Sequence, residues 1–268
     1  MLSPPITYPS LPYDRCVRSR LARPIVIVPL ALLLVLVVAG TWFWARARSS
    51  TPVSAATALR EYGVGGSAAS SGPRPGAYTY LATGAERVSL GPLGVDRDLP
   101  GAARIVVRGA AGGYWSTLVL SEEHVEGTRF RVGEDGLREV QRLTIVKVAG
   151  IGREDVVDLK PPPLSYPARI RVGDTWRERY HLAEVVVDSR VRVMGREDVS
   201  VGGTAVSALI IRTKALITGP FPGSRTDVMW WSPALAMPVR WKIDMSVGGA
   251  ASLATHADLL LTSLDPVR

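Results

Sequence analysis

Met237-Pro238-Val239-Arg240-Trp241-Lys242-Ile243-Asp244-Met245 alternates without a break. Met237, Val239, Trp241, Ile243 and Met245 share one parity, and Pro238, Arg240, Lys242 and Asp244 share the other. Successive side chains of a strand point to opposite faces, so the stretch predicts a half-buried β-strand; a helix would scatter the same residues around its circumference. The pattern recurs along the chain. Val185, Val187, Val191 and Val193 alternate with Asp188, Arg190 and Arg192. Ile170, Val172, Trp176 and Tyr180 oppose Arg169, Arg171, Arg177 and Arg179, and Phe130 and Val132 oppose Arg129 and Arg131. Further strands are predicted over 78–82, 86–90, 103–108, 114–120, 137–148, 154–160, 204–213, 226–231 and 256–263.

Turn chemistry separates these runs. Asp135-Gly136 and Gly202-Gly203 suit tight hairpins. Pro161-Pro162-Pro163 and Gly219-Pro220-Phe221-Pro222-Gly223 end strands and force longer connections. Ser232-Pro233-Ala234-Leu235-Ala236 reads as one helical turn. No helical stripe longer than two turns follows Ala77. The expected fold class is therefore mainly β: a curved antiparallel sheet, half-barrel or open barrel, over residues 77–268. Its apolar face must be covered by curling, by a second sheet or by a ligand.

The N-terminal quarter differs. From Pro24 to Ala45 no residue is charged, and about 20 apolar residues in a helix span a bilayer core. Trp42, Phe43 and Trp44 stand at the far end, as an aromatic belt does. Arg15, Arg18, Arg20 and Arg23 precede the run, Arg46 and Arg48 follow it, and this bias places the N-terminus inside. The expected organisation is a cytoplasmic tail over 1–23, a transmembrane helix over 24–45, a flexible linker over 46–76, and an extracytoplasmic β domain over 77–268. A cleaved signal peptide is the competing reading. Within the linker, Val53 to Tyr62 can form a short helix after Ser54.

The formal charge is +8, but residues 1–75 carry eight arginines against Asp14 and Glu61, leaving the folded part near balance. Signs also interleave there, as in Arg177-Glu178-Arg179, so no nucleic-acid partner is expected. One cysteine, Cys16, excludes a disulfide framework within the chain. His124, His181 and His256 lack metal-ligand spacing, and neither a metal nor a cofactor is expected. His124 after Glu122-Glu123 reads as a polar turn, and His181 and His256 as surface residues. Gly-x-Ser-x-Gly is absent and no catalytic residue is expected.

Three phrases recur in a known order: Pro167 to Trp176 with Gly173-Asp174-Thr175-Trp176, Gly195 to Ala215 with its Gly202-Gly203 turn, and Trp230 to Trp241. Over residues 77–264 this resembles bacterial exported half-barrel domains, similar in shape to lipoprotein carriers of the LolA and LprG kind. The resemblance implies a curved antiparallel sheet around an apolar cavity. The chain departs from it in lacking a lipobox cysteine and a long helix to plug the mouth, and no functional residue is carried over. Trp176, Trp230, Trp231 and Trp241 are the candidate ligand-binding residues, since Trp joins a large apolar body to one donor. Trp230 and Trp231 are adjacent, so one of them should lie outside the main core or under a loop. The expected function is a non-enzymatic, membrane-anchored module that binds an apolar ligand or an envelope protein. The alternative is a structural or regulatory interaction module with a filled core.

Overall fold

The computed structural model describes residues 24–63, 72–90, 93–148, 151–249 and 251–268. The tail over 1–23 with Cys16 lies outside the described residues, as does the Gly/Ser-rich stretch 64–71 of the expected linker. Two compact units divide at Phe43/Trp44. The backbone is helical over α1 (Pro24–Arg48). Its side chains are described from Val35 onward, and among the described residues no helix is long and apolar enough to cross a membrane. The transmembrane character expected for 24–45 is thus not shown.

The second unit holds α2 (Ala55–Tyr62) and fourteen strands. These are β1 (Gly76–Leu90), β2 (Leu93–Asp98), β3 (Ala102–Ala110), β4 (Gly113–Ser121), β5 (His124–Gly133), β6 (Gly136–Val148) and β7 (Ile151–Asp158). Then follow β8 (Leu164–Pro167), β9 (Thr175–Leu182), β10 (Val185–Val201), β11 (Thr204–Thr218), β12 (Gly223–Ser232), β13 (Met237–Val247) and β14 (Ala251–Leu261). All pair antiparallel in the order β7-β6-β5-β4-β3-β1-β14-β13-β12-β11-β10-β9, with β2 on β1 and β8 on β6. The sheet curls into a nearly closed barrel. Lys160, just beyond β7, exchanges backbone hydrogen bonds of 3.4 and 3.0 Å with His181 on β9, joining the two edges.

β1 organises the sheet. One side pairs with β14 from Tyr80 to Leu90, while the other pairs first with β3 and then, from Ala85, with β2. Gly84 sits at the changeover with φ +128°, and a Cβ there would lie 2.0 Å from the His256 carbonyl oxygen. Only glycine fits so close a backbone approach. The two short strands predicted over 78–82 and 86–90 are therefore one continuous strand. β2 and β8 escape the sequence reading because they are short and carry no long alternation.

Val239, Ile243 and Met245 bury as their parity predicts, as do Val187, Val191 and Val193. The Gly202-Gly203 hairpin is present, with φ of 55° and 85°. The β5–β6 turn falls one residue earlier than predicted, because Gly133 pairs with Gly136. Ile170 and Val172 are not in a strand. The Arg171 amide donates to Asp174 Oδ2 at 2.8 Å, Gly173 takes φ +95°, and Val172 is left 55% exposed. Local side-chain bonding by Asp174 wins over the alternation there. The helical turn predicted at Ser232–Ala236 is instead a non-helical turn ending at φ 52° on Ala236.

α2 forms as predicted, with Ser54 Oγ accepting from the Thr57 amide at 3.0 Å. Part of the stretch read as linker is thus ordered. Val53 and Ala58 bury against Ala77, Val106, Val119 and Val125, and the Thr51 amide and hydroxyl both donate to the Glu123 carboxylate.

Candidate functional site

Alternation gives every strand an inner face, and charged residues occupy part of it. On β1, Glu86 follows Tyr80 and Ala82 inward and is 1% exposed. Arg97 Nε on β2 donates to Glu86 Oε2 at 2.9 Å, and Arg97 Nη1 donates to the Lys147 carbonyl at 3.0 Å. His124 Nδ1 on β5 meets Glu86 Oε1, and its Nε2 lies 3.3 Å from Glu126 Oε1. Arg225 on β12 reaches across to Glu126 at 2.8 and 2.9 Å, and its Nε donates to Asp227 Oδ2 at 2.8 Å. Trp241 Nε1 on β13 completes the row by donating to Asp227 Oδ1 at 2.9 Å.

Burial penalises each charge, and the partners offset it. Burial alone would lower the His124 pKa, but Glu86 and Glu126 raise it to about 9. Burial would raise Glu86, yet His124 and Arg97 bring it below its ordinary value. Arg225, ahead of His124, holds Glu126 well below the usual carboxylate range against the same penalty. His124 is therefore not the polar turn residue its sequence context suggested. It is 1% exposed and protonated, with a carboxylate at each ring nitrogen. The missed signal is the His124-x-Glu126 spacing, which places both side chains on one face of β5.

A second group faces inward from β6, β8 and β9. Arg142 Nη1 donates to the Tyr180 hydroxyl at 3.3 Å and pairs with Glu139. Glu178 accepts from Trp176 Nε1 at 3.3 Å. Burial, with the Glu139 charge, pushes the Glu178 carboxyl up to about 8, so it is mostly protonated at neutral pH. Tyr166 stacks on Trp231 with ring centroids 4.3 Å apart, and its hydroxyl lies 3.3 Å from Met229 Sδ.

The four tryptophans do not form one site. Trp176 and Trp231 share an inner cluster with Met229 and Tyr166, and Trp241 faces inward beside Asp227. Trp230 lies on the outer side, where Arg240 stacks over its ring at 5.0 Å and its Nε1 donates to Glu197 at 2.8 Å. The distal half of the β10–β11 hairpin, beyond the register shift around Met194, packs Val199, Val201 and Ala208 into the cluster that holds Trp230. Both adjacent tryptophans are buried, at 9% and 8% exposure.

His181 and His256 are exposed, the latter 3.5 Å from Asp244. Among the described residues no group of His, Cys, Asp or Glu is placed to hold a metal ion. A shallow groove of about 440 Å³ on the outer face is lined by Thr83, Lys242, Asp244, His256 and Asp258.

No family model matches the chain. No curated protein matches its sequence. Among solved structures, the hypothetical lipoprotein YmcC from Escherichia coli (K12) is similar at 12% identity, over 72% of this chain and 87% of that one, with a TM-score of 0.37. A superposition this loose identifies neither a family nor a function, and what the protein does rests on the site geometry alone.

Proposed function

We propose that the protein is a membrane-anchored, extracytoplasmic binding module whose curved sheet takes an uncharged, partly apolar ligand beside Tyr166, Trp176 and Met229. The observation that carries this reading is a contrast in exposure along one inward-facing row. Glu86, Arg97 and His124 are 0–1% exposed at their side chains. Glu126, Arg225, Asp227 and Arg142 keep 17, 14, 12 and 23%. Side chains that point inward yet remain accessible border space that water reaches. That space adjoins an aromatic and thioether wall, the lining that favours apolar matter with a few fixed polar groups. The surrounding charges match each other in pairs, so a ligand with net charge would leave one charge unmatched. Protonated Glu178 supplies a donor for an uncharged polar group.

Entry would be through the seam between β7 and β9, which Lys160 and His181 bridge. The anchor is the apolar run over 24–45, with its arginine bias setting the N-terminus in the cytoplasm. No catalytic step is proposed, because both ring nitrogens of His124 are engaged by carboxylates. The filled-core alternative draws on the Glu126–Arg225 pair, which reaches across from β5 to β12.

The test is native mass spectrometry and solvent extraction of the full chain, with titration of a neutral naphthylamine probe followed by tryptophan fluorescence. A co-purifying neutral ligand or saturable probe binding, weakened about tenfold by Met229→Trp filling of the compartment, is expected. No extractable ligand and no saturable binding would replace this reading with the filled-core module. Protease added to intact cells should remove the β domain; its survival would overturn the orientation.

A further inference from the structure

Interleaved signs in a strand do not dilute charge: they sort it by face. Glu178 points into the barrel while Arg177 and Arg179 point out, so the alternation leaves a predominantly cationic outer surface. On the outer side of β9, β10 and β11, Arg177, Arg190 and Lys214 are in direct register across three strands, and Arg192 opposes Arg212. Arg179 joins them. The one carboxylate interleaved with these rows is Asp188, which Arg177 engages. Asp188 also feels the charges of Arg179 and Arg190, while among the described residues no carboxylate lies within ion-pair distance of Arg192, Arg212 or Lys214. Like charges directly opposite on neighbouring strands destabilise a sheet, a cost that an anionic partner on this face would offset. Leu216, 59% exposed, and Met194, 43% exposed, lie within the same face.

From this face we infer a docking surface for a bilayer rich in anionic phospholipid. Neighbouring strands lie about 4.8 Å apart, so the rows form a grid of cations across a sheet face, suited to a plane of phosphates. Exposed Leu216 and Met194, at the two ends of that grid, add the apolar insertion that interfacial binding uses and a phosphate rod does not need. The surface goes beyond the ligand compartment, which faces the opposite side of the same strands. It needs the membrane reading only for the presence of a bilayer, so the two can fail separately.

The experiment holds the full chain in phosphatidylcholine nanodiscs and offers sucrose-loaded vesicles of phosphatidylcholine alone or with about one third phosphatidylglycerol. A chain that fails to enter nanodiscs fails the anchor reading, and it is then offered to the same vesicles directly. Sedimentation with the anionic vesicles alone, lost at about 0.5 M salt, is expected. The combined Arg190→Gln, Arg192→Gln, Arg212→Gln and Lys214→Gln variant should bind at least about tenfold more weakly and melt no lower, since it removes like-charge opposition. If that variant does not fold, Leu216→Glu alone should weaken binding about threefold. Equal sedimentation with both vesicle types, none with either, or unchanged binding by the variants would overturn the proposal. So would tighter capture of duplex DNA at matched phosphate concentration.

Discussion

Glu126 on β5 and Arg225 on β12 stand 99 residues apart in sequence and pair inside the barrel at 2.8 and 2.9 Å. Arg225 also serves Asp227, whereas Glu126 retains His124 as a second partner. Removal of the two ends is therefore unequal. Arg225→Met, which leaves Asp227 without its arginine, should cost about 3–5 kcal/mol, and Glu126→Gln should cost less because Arg225 keeps Asp227. Urea midpoints of the two variants and their double mutant measure this, and the reverse order would show that Asp227 does not depend on Arg225.

Stability should fall as pH rises from neutral. The folded pKa of His124, about 9, exceeds its ordinary 6.5, so its contribution is complete below 6.5 and lost as pH rises through 9. Glu178, about 8 against an ordinary 4.5, adds a cost that grows from 4.5 to 8 and persists above. Glu86 and Glu126 act oppositely: both are lowered, so their contribution is present above about 4.5 and lost as pH falls. Stability measured by denaturation from pH 4 to 10 should peak at about pH 5, decline gently to about 6.5 and more steeply above it. Glu178→Gln should remove the part of the decline between 4.5 and 8; an unchanged profile would place its titration elsewhere.

These two groups mark how far the sequence could be read. Alternation at Met237–Met245 and Val185–Val193 exposes which residues face inward, because one period governs both burial and register. It does not say which inward faces meet. Glu126 and Arg225 lie on strands that are not neighbours, and only the curl of the sheet joins them. Glu178 shares its parity with Trp176 and Tyr180, but alternation alone does not say that burial and Glu139 keep its carboxyl protonated. Trp176 was legible as inward from its parity with Tyr180, but alternation did not say which of Trp230 and Trp231 faces inward; Trp231 joins Trp176, and Trp230 packs with the distal part of the hairpin whose tip, Gly202-Gly203, was itself predicted.

Gly84→Ala should be severe. The added methyl carbon would lie 2.0 Å from a β14 carbonyl oxygen at a φ that L residues avoid. A loss of about 3 kcal/mol or more, or no soluble protein, is expected from the combined clash and strain. Calorimetry that finds less than about 1 kcal/mol would mean that β1 and β14 can separate locally without loss of the barrel.

The segment Thr51–Tyr62 should detach before the sheet does. Ser54→Ala removes the cap of α2 and should cost that helix about 1 kcal/mol. Glu123→Ala removes both bonds to Thr51. Amide exchange across 51–63 should speed in each variant while β3 and β4 stay protected. Equal acceleration in the strands would show that α2 belongs to the cooperative core.

The partners flanking β1 come from opposite extremes of the domain: β3 follows it almost at once, and β14 arrives last. A chain emerging from its amino end thus carries an unmated β1 edge in the heart of the sheet until the last strand of that sheet has been made. Shielding of that edge then bears on the yield of folded protein apart from equilibrium stability, and removal of β14, which is interior to the strand order, should harm it more than loss of an end strand such as β7 or β9.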